Sequence, residues 1–176
     1  MSLDELQPEF GEKLYKVLDR CRTAGVVMQP YSGLRSPYDQ ARLWRQSRTR
    51  TEIEQRIIRL RLSGAAFLAH CIESVGPQFG KPVTSAIPGL SWHQWGEAVD
   101  CYWVVDGRSE WSPLKKIRGQ NGYGVFTQEL HAAGLDAGGS WVNARDWPHA
   151  QLHAVRSPLK RYSLADIDHI MRERFE

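Results

Sequence analysis

Hydrophobic positions along this chain repeat with two different periods. Over residues 9–24, Phe10, Leu14, Val17, Leu18 and Cys21 fall three or four apart, which predicts an amphipathic helix that Gly25 can stop. VVMQPYSG then reads as a short strand entering a turn at Ser32 and Gly33. Ser36 followed by Pro37 predicts a capped helix start, with PYDQARLWRQ as the helix. Thr51 and Glu54 form a T-x-x-E capping box ahead of a longer helix over residues 52–75. Its apolar face is Ile53, Ile57, Leu60, Gly64, Phe67, Leu68 and Cys71. Pro77, Gly80, Pro82, Pro88 and Gly89 punctuate an irregular connection. EAVDCYWVV is the next strand, ending at an Asp106-Gly107 turn, and a helix follows from Asn121 to Ala133, closed by Gly134. DAGGSWVNARDWP reads as loop, AQLHAV as a strand, and Ser163 opens a last helix. The pattern is α+β: a small antiparallel sheet flanked by helices, with long loops bearing polar residues, in one domain spanning 1–176.

Composition narrows the class. With 41% hydrophobic and 24% charged residues over 176 positions, the chain is globular and long enough to bury a core. A net charge of +3 suits an anionic polymer as partner but is too small to argue for nucleic acid. The basic run RQSRTR, continued by RIIRLRL, alternates with apolar residues at helical spacing, so it reads as the wet face of a helix. Cys21, Cys71 and Cys101 are widely spaced and odd in number, which predicts free buried thiols in a reducing compartment. The N-terminal MSLDELQPEFGEKLYKV has early acidic residues and no apolar run, so no secretory signal is expected. No segment reaches the ~18 apolar residues of a membrane span, and no stable membrane association is expected.

GLSWHQWGEAVD concentrates the chemistry. It sets His93 and Asp100 among bulky apolar residues, where polar groups are costly unless partnered. A second stretch of similar character, RDWPHAQLH, supplies His149 with Asp146 three residues before it. Two imidazoles and one carboxylate would bind a single Zn²⁺ and leave a fourth position for water, as catalytic sites do. A carboxylate that is not a ligand can take that water's proton, and Asp146 is the natural candidate. His153 is a rival ligand, four residues from His149, but the alternation in AQLHAV argues for a strand. Glu97 is a rival base. His70, His131 and His169 read as ordinary histidines. Trp92, Trp95 and Trp147 flank the candidate ligands and either exclude water or grip substrate.

SWHQWGEAVD matches the pattern S-x-H-x-x-G-x-A-x-D, and DWPH matches the D/E-x-x-H that follows it. In these motifs the chain resembles the zinc peptidase family of D-alanyl-D-alanine carboxypeptidases, vancomycin-resistance dipeptidases and phage L-alanyl-D-glutamate endolysins. SGLRSPYDQARLW resembles that family's G-x-R-S/T-x-x-x-Q-x-x-L-W element, and GLDAGGSW a segment of its endolysin branch. The resemblance implies a Hedgehog/D-Ala-D-Ala peptidase-like fold with a zinc site in a groove on the sheet. It implies His93, Asp100 and His149 as metal ligands, Asp146 as general base, and Arg35 as the group that stabilises the oxyanion. Gln40 would brace Arg35 or touch substrate; Ser91 and Trp147 would lie against substrate.

The expected substrate is the peptidoglycan stem peptide, cut at L-alanyl-D-glutamate, with removal of terminal D-alanine as the alternative. An aspartate at position 146 resembles the endolysin branch; a longer segment over 45–80 and the alanine of DAGGSW depart from it. Delivery to the periplasm or cell wall would need a holin or secretion machinery. Two readings from other classes stand beside this one: a catalytically silent zinc-binding interaction module, and a metal-free nucleic-acid binder using the basic helix.

Overall fold

The first helix opens where the side chain of Gln7 accepts the Phe10 N–H and a proline occupies the first turn, giving α1 (Pro8–Thr23). The structure, a computed structural model, describes residues 3–176; Met1 and Ser2, which begin the stretch read for a leader, lie outside the described residues. Strand β1 (Val27–Ser32) is followed by helices α2 (Pro37–Arg45), α3 (Arg50–Leu62) and α4 (Ala66–Ser74). Strands β2 (Ala98–Val105) and β3 (Arg108–Glu110) form a hairpin through Asp106 and Gly107, both at positive φ (48° and 74°). Then come α5 (Gly122–Ala132), β4 (Asp136–Ala137), β5 (His149–Gln151) and α6 (Leu164–Phe175). The fold is α+β with a small open antiparallel sheet. No helix among the described residues is long and apolar enough to cross a membrane.

Two compact units can be distinguished, and the first takes in the chain up to Leu34 together with Trp95–Ala154. It contains the whole sheet, in the order β1-β2-β5-β4, with β3 also paired to β2. Strand β2 is central, and its period-2 alternation divides its residues between two faces. Val99, Cys101 and Trp103 turn into a core with Met28 of β1, Ala150 of β5, Phe10, Leu14 and Val17 of α1, and Tyr123, Phe126 and Leu130 of α5. Asp100 and Tyr102 therefore turn to the other face. All three cysteines of the chain are free and buried, and burial pushes the Cys21 and Cys71 thiols up to about 12.

The second unit comprises Arg35–Gln94 and Val155–Glu176. Its helix α4 packs against α2, α3 and α6. The continuous helix expected over 52–75 is two helices, because the chain turns at Ser63 and Gly64, the latter at φ +75°. The capping box also sits two residues earlier than expected. Thr49 accepts the Glu52 N–H and Glu52 accepts the Thr49 N–H, whereas Thr51 and Glu54 lie within the helix. The new helix α4 has no capping side chain of its own at Ala65. Asp168 of α6 supplies one from 100 residues away: its buried carboxylate accepts the Leu68 N–H at 2.8 Å and pairs with Arg172 at 3.0 Å. Strand AQLHAV is shorter than expected, since β5 ends at Gln151.

Candidate metal centre

Antiparallel pairing of β2 with β5 sets Asp100 directly opposite His149 and Val99 opposite Ala150. Because Val99 and Ala150 are core, Asp100 and His149 meet on the opposite face, with Asp100 Oδ1 3.1 Å from His149 Nδ1. His93 lies on the short 3-10 turn Trp92–Trp95, which Gly96, at φ +72°, leads toward β2. His93, Asp100 and His149 each bring one ligand atom to a common spot, all within 4.8 Å of one another. Relative exposures of 4% for His93 and 8% for each of the others leave little room for bulk water.

A residue that no motif pointed to decides how His149 is presented. Gln151, 2% exposed, accepts at Oε1 from His149 Nε2, 3.0 Å away. Its Nε2 donates to Asp136 Oδ2 at 3.1 Å and to the His153 carbonyl. With both of those partners acceptors, the amide orientation is fixed, and Oε1 must receive a proton from His149. A hydrogen therefore sits on Nε2, which leaves Nδ1, the nitrogen facing Asp100, as the atom that would give its lone pair to a metal. Asp136 is itself held by the Trp141 indole N–H at 2.9 Å, and the Trp141 ring lies 5.2 Å from that of His149. Burial opposes a charge on His149, but the hydrogen bond and charge of Asp100, the Gln151 acceptor and the charge of Asp146 outweigh it and hold the pKa above the usual histidine value.

The loop that carries Asp146 depends on one close approach. A Cβ on Gly138 would stand 2.2 Å from the Asp146 carbonyl oxygen, so only glycine fits beneath this turn. Asp146 N–H donates to the Gly138 carbonyl, and His149 N–H donates to the Asp146 carbonyl. That turn delivers His149 to the start of β5 and leaves the Asp146 side chain exposed. Trp147 packs over Gly139, with the Arg145 guanidinium 5.7 Å from its ring.

Arg35 enters through its backbone N–H, which donates to the His93 carbonyl at 3.2 Å. Its Nη1 donates to Gln40 Oε1 at 3.0 Å. Gln40 is fully buried and also accepts from Gln94 while donating to the Ala86 carbonyl. Gln40 thus holds the Arg35 guanidinium from the interior. Ser91 opens the histidine turn: its N–H donates to Gln94 Oε1 and its carbonyl accepts the Gln94 N–H. The two rivals pair with each other, His153 Nε2 lying 3.0 Å from Glu97 Oε2, and neither belongs to the three-residue group. Trp92 is buried, its indole donating to the Val155 carbonyl.

Tetrahedral ligands at ~2.1 Å from an ion stand about 3.4 Å apart, so the observed group needs only small side-chain shifts to close on one. Two imidazoles and a carboxylate form a donor set that suits a divalent transition metal. The chemistry of the donors and their shared burial fit a bound metal ion.

No curated protein matches this chain. Among solved structures, the Serratia marcescens L-Ala D-Glu endopeptidase ChiX is similar at 19% identity and a TM-score of 0.47, over 86% of this chain and 83% of that one. A model of the VanY family, described as D-alanyl-D-alanine carboxypeptidase, matches residues 3–119, which include Arg35, Gln40, His93 and Asp100 and stop before His149. This match covers most of the 176 residues, and the chain belongs to that family of peptidases acting on the bacterial cell wall.

Proposed function

We propose that the protein is a zinc-dependent peptidase, one functional domain over 1–176, that hydrolyses the L-alanyl-D-glutamate bond of peptidoglycan stem peptides. The observation that carries this reading is the group of His93, Asp100 and His149, with ligand atoms within 4.8 Å and the His149 Nε2–H held by Gln151. These three residues would hold the ion. Zinc, when bound, supplies Lewis acidity toward water and a carbonyl oxygen. Asp146 takes the proton of the attacking water and hands it to the departing amine. Arg35, braced by Gln40, stabilises the negative charge that develops on the carbonyl oxygen, a contribution of about 3–4 kcal/mol for one well-placed donor. Ser91 and Trp147 border the substrate. Action on the stem peptide places the protein in the periplasm or cell wall, reached through a holin or secretion machinery.

The choice of bond rests on Asp146 and the GLDAGGSW segment, which resemble the endolysin branch. A second reading, removal of terminal D-alanine, is favoured by the description of the family. Digestion of purified peptidoglycan followed by mass spectrometry separates the two, since fragments ending in L-alanine and free D-alanine differ in mass. Elemental analysis should find one zinc per chain, and Asp146→Asn should keep the zinc while losing turnover. A metal-free protein that leaves peptidoglycan intact in the presence of added zinc would overturn the proposal.

A further inference from the structure

Three aromatic side chains gather on the first unit's sheet outside the residues assigned above. Tyr102 follows Asp100 by two residues on β2, one full pleat of about 6.8 Å, and shares its face because Cys101 and Trp103 are committed to the core. Tyr31 is the extra residue of a bulge in β1: Pro30 pairs with Cys101 and Ser32 with Asp100, leaving Tyr31 between them. Such bulges re-aim a side chain, here toward Tyr102. Trp111 follows β3 immediately after Glu110, which pairs with Trp103. The ring centroids lie 6.2 Å apart for Tyr31–Tyr102, 5.4 Å for Tyr102–Trp111 and 5.2 Å for Tyr31–Trp111. Tyr31 and Trp111 each remain 48% exposed, so the cluster offers ring surface to the solvent instead of sealing a core. Contiguous exposed aromatic surface of this kind marks a binding surface.

We propose that Tyr31, Tyr102 and Trp111 form a stacking platform for an amino-sugar ring of the peptidoglycan glycan strand. The inference rests on the peptidase reading and extends it from the stem peptide to the glycan. A pyranose ring presents a face of C–H bonds with partial positive charge, which complements the negative face of an aromatic ring. The stem residues near the glycan, L-alanine and D-glutamate, have no large apolar group to cover three rings. Gln29, opposite Tyr102 in register, sets an exposed amide at the rim for sugar hydroxyl or acetamido groups.

Distance then ties the platform to a particular bond. Between the L-alanyl-D-glutamate bond and the sugar lie only the L-alanine and the lactyl group, about two residue lengths or roughly 7 Å. That matches the single pleat separating Asp100 from Tyr102. The D-alanyl-D-alanine bond lies three residues further out, up to about 10 Å more along an extended stem, and cutting there would leave the platform empty.

Two measurements test this. Saturation-transfer NMR on the metal-free protein, with the N-acetylglucosamine–N-acetylmuramic acid disaccharide as probe, should show transfer to the sugar C–H protons. The transfer should be lost in the Tyr31→Ala/Trp111→Ala double variant and retained in Trp111→Phe, which keeps a ring. In the zinc-loaded enzyme, kcat/KM for the disaccharide-linked stem peptide should exceed that for the same peptide without sugar by about tenfold, a ratio that one to two stacked rings provide. The double variant should bring that ratio toward one. Transfer to the free stem peptide in place of the disaccharide, or a ratio near one in the wild type, would overturn the platform. If neither peptide is cut, the peptidase reading fails, and the saturation transfer alone decides the sugar site.

Discussion

Replacing Gln151 by leucine tests whether one buried amide presents His149 to the metal. The side chains are close in volume, so little cavity or overpacking is added. The loss is in hydrogen bonds: His149 Nε2–H loses its 3.0 Å acceptor, Asp136 Oδ2 loses the amide while keeping the Trp141 indole, and the His153 carbonyl loses the Gln151 donor. At 2% exposure, water cannot easily take the place of the amide. Removing the partner that orients a ligand histidine typically weakens metal affinity roughly 10–100-fold, or ~1.4–2.7 kcal/mol. One buried N–H left unpaired also destabilises the metal-free fold by about 1–3 kcal/mol, which in a domain of this size lowers Tm by roughly 2–12 °C. Zinc affinity would be read by competition with a chromophoric chelator at fixed pH, and metal-free Tm by circular dichroism. Gln151→Glu separates the two effects. It keeps an acceptor for His149 Nε2–H but sets a second carboxylate where the amide stood 3.1 Å from Asp136 Oδ2, so affinity should stay nearer the wild type while metal-free stability falls. A folded Gln151→Leu protein that binds zinc within about twofold of the wild type would refute the reasoning.

Asp168→Ala removes the buried carboxylate that accepts the Leu68 N–H at the start of α4, and should lower stability by about 2–3 kcal/mol in denaturant titration, far more than an exposed ion pair would. Thr49→Ala should destabilise by about 1 kcal/mol while Thr51→Ala stays within about 0.5, because only the first caps α3; the reverse order would restore the later helix start. Gly138→Ala drives a methyl to 2.2 Å from the Asp146 carbonyl, so the loop must shift, and turnover on peptidoglycan should fall at least tenfold while the chain still folds by circular dichroism. Burial raises the Cys21 and Cys71 thiols to about 12, so both stay protonated at pH 8 and should resist iodoacetamide until denaturant is added; prompt labelling of the native protein would contradict their burial.

The parts of this fold that could be read from sequence are those whose signal is local. Helix α1 carries its own period and its own stop, and Ser36-Pro37 marks the start of α2 by itself. The capping box slipped because Thr49-x-x-Glu52 and Thr51-x-x-Glu54 spell the same signature two residues apart, and spacing alone does not choose between them. The break at Gly64 was hidden because Ile53, Ile57 and Leu60 continue in phase with Phe67, Leu68 and Cys71 on the far side of it. Asp168 was unreadable as a cap, since its partner lies 100 residues away. Gln151 was missed for the same reason. Its roles come from Asp136 on β4 and His149 and His153 on or beside its own strand, and they exist only once β4 and β5 have paired. By contrast, His93, Asp100 and His149 announced themselves as polar residues set among aromatics, a local anomaly that demanded partners.

The candidate site also depends on residues that never touch a metal or a substrate. Side chains alternate along β2 and β5, so a slip of one residue in their pairing would set Ala150 opposite Asp100 and turn His149 toward the core. What forbids the slip is the other face: Val99 and Ala150 are fully buried among Phe10, Leu14, Phe126 and Leu130, where an imidazole would find no partner. The hydrophobic core thereby sets the register, and the register sets the 3.1 Å approach of Asp100 to His149. The same alternation carries Tyr102 to the Asp100 side, so a single packing decision fixes both the ligand pair and the first ring of the aromatic platform.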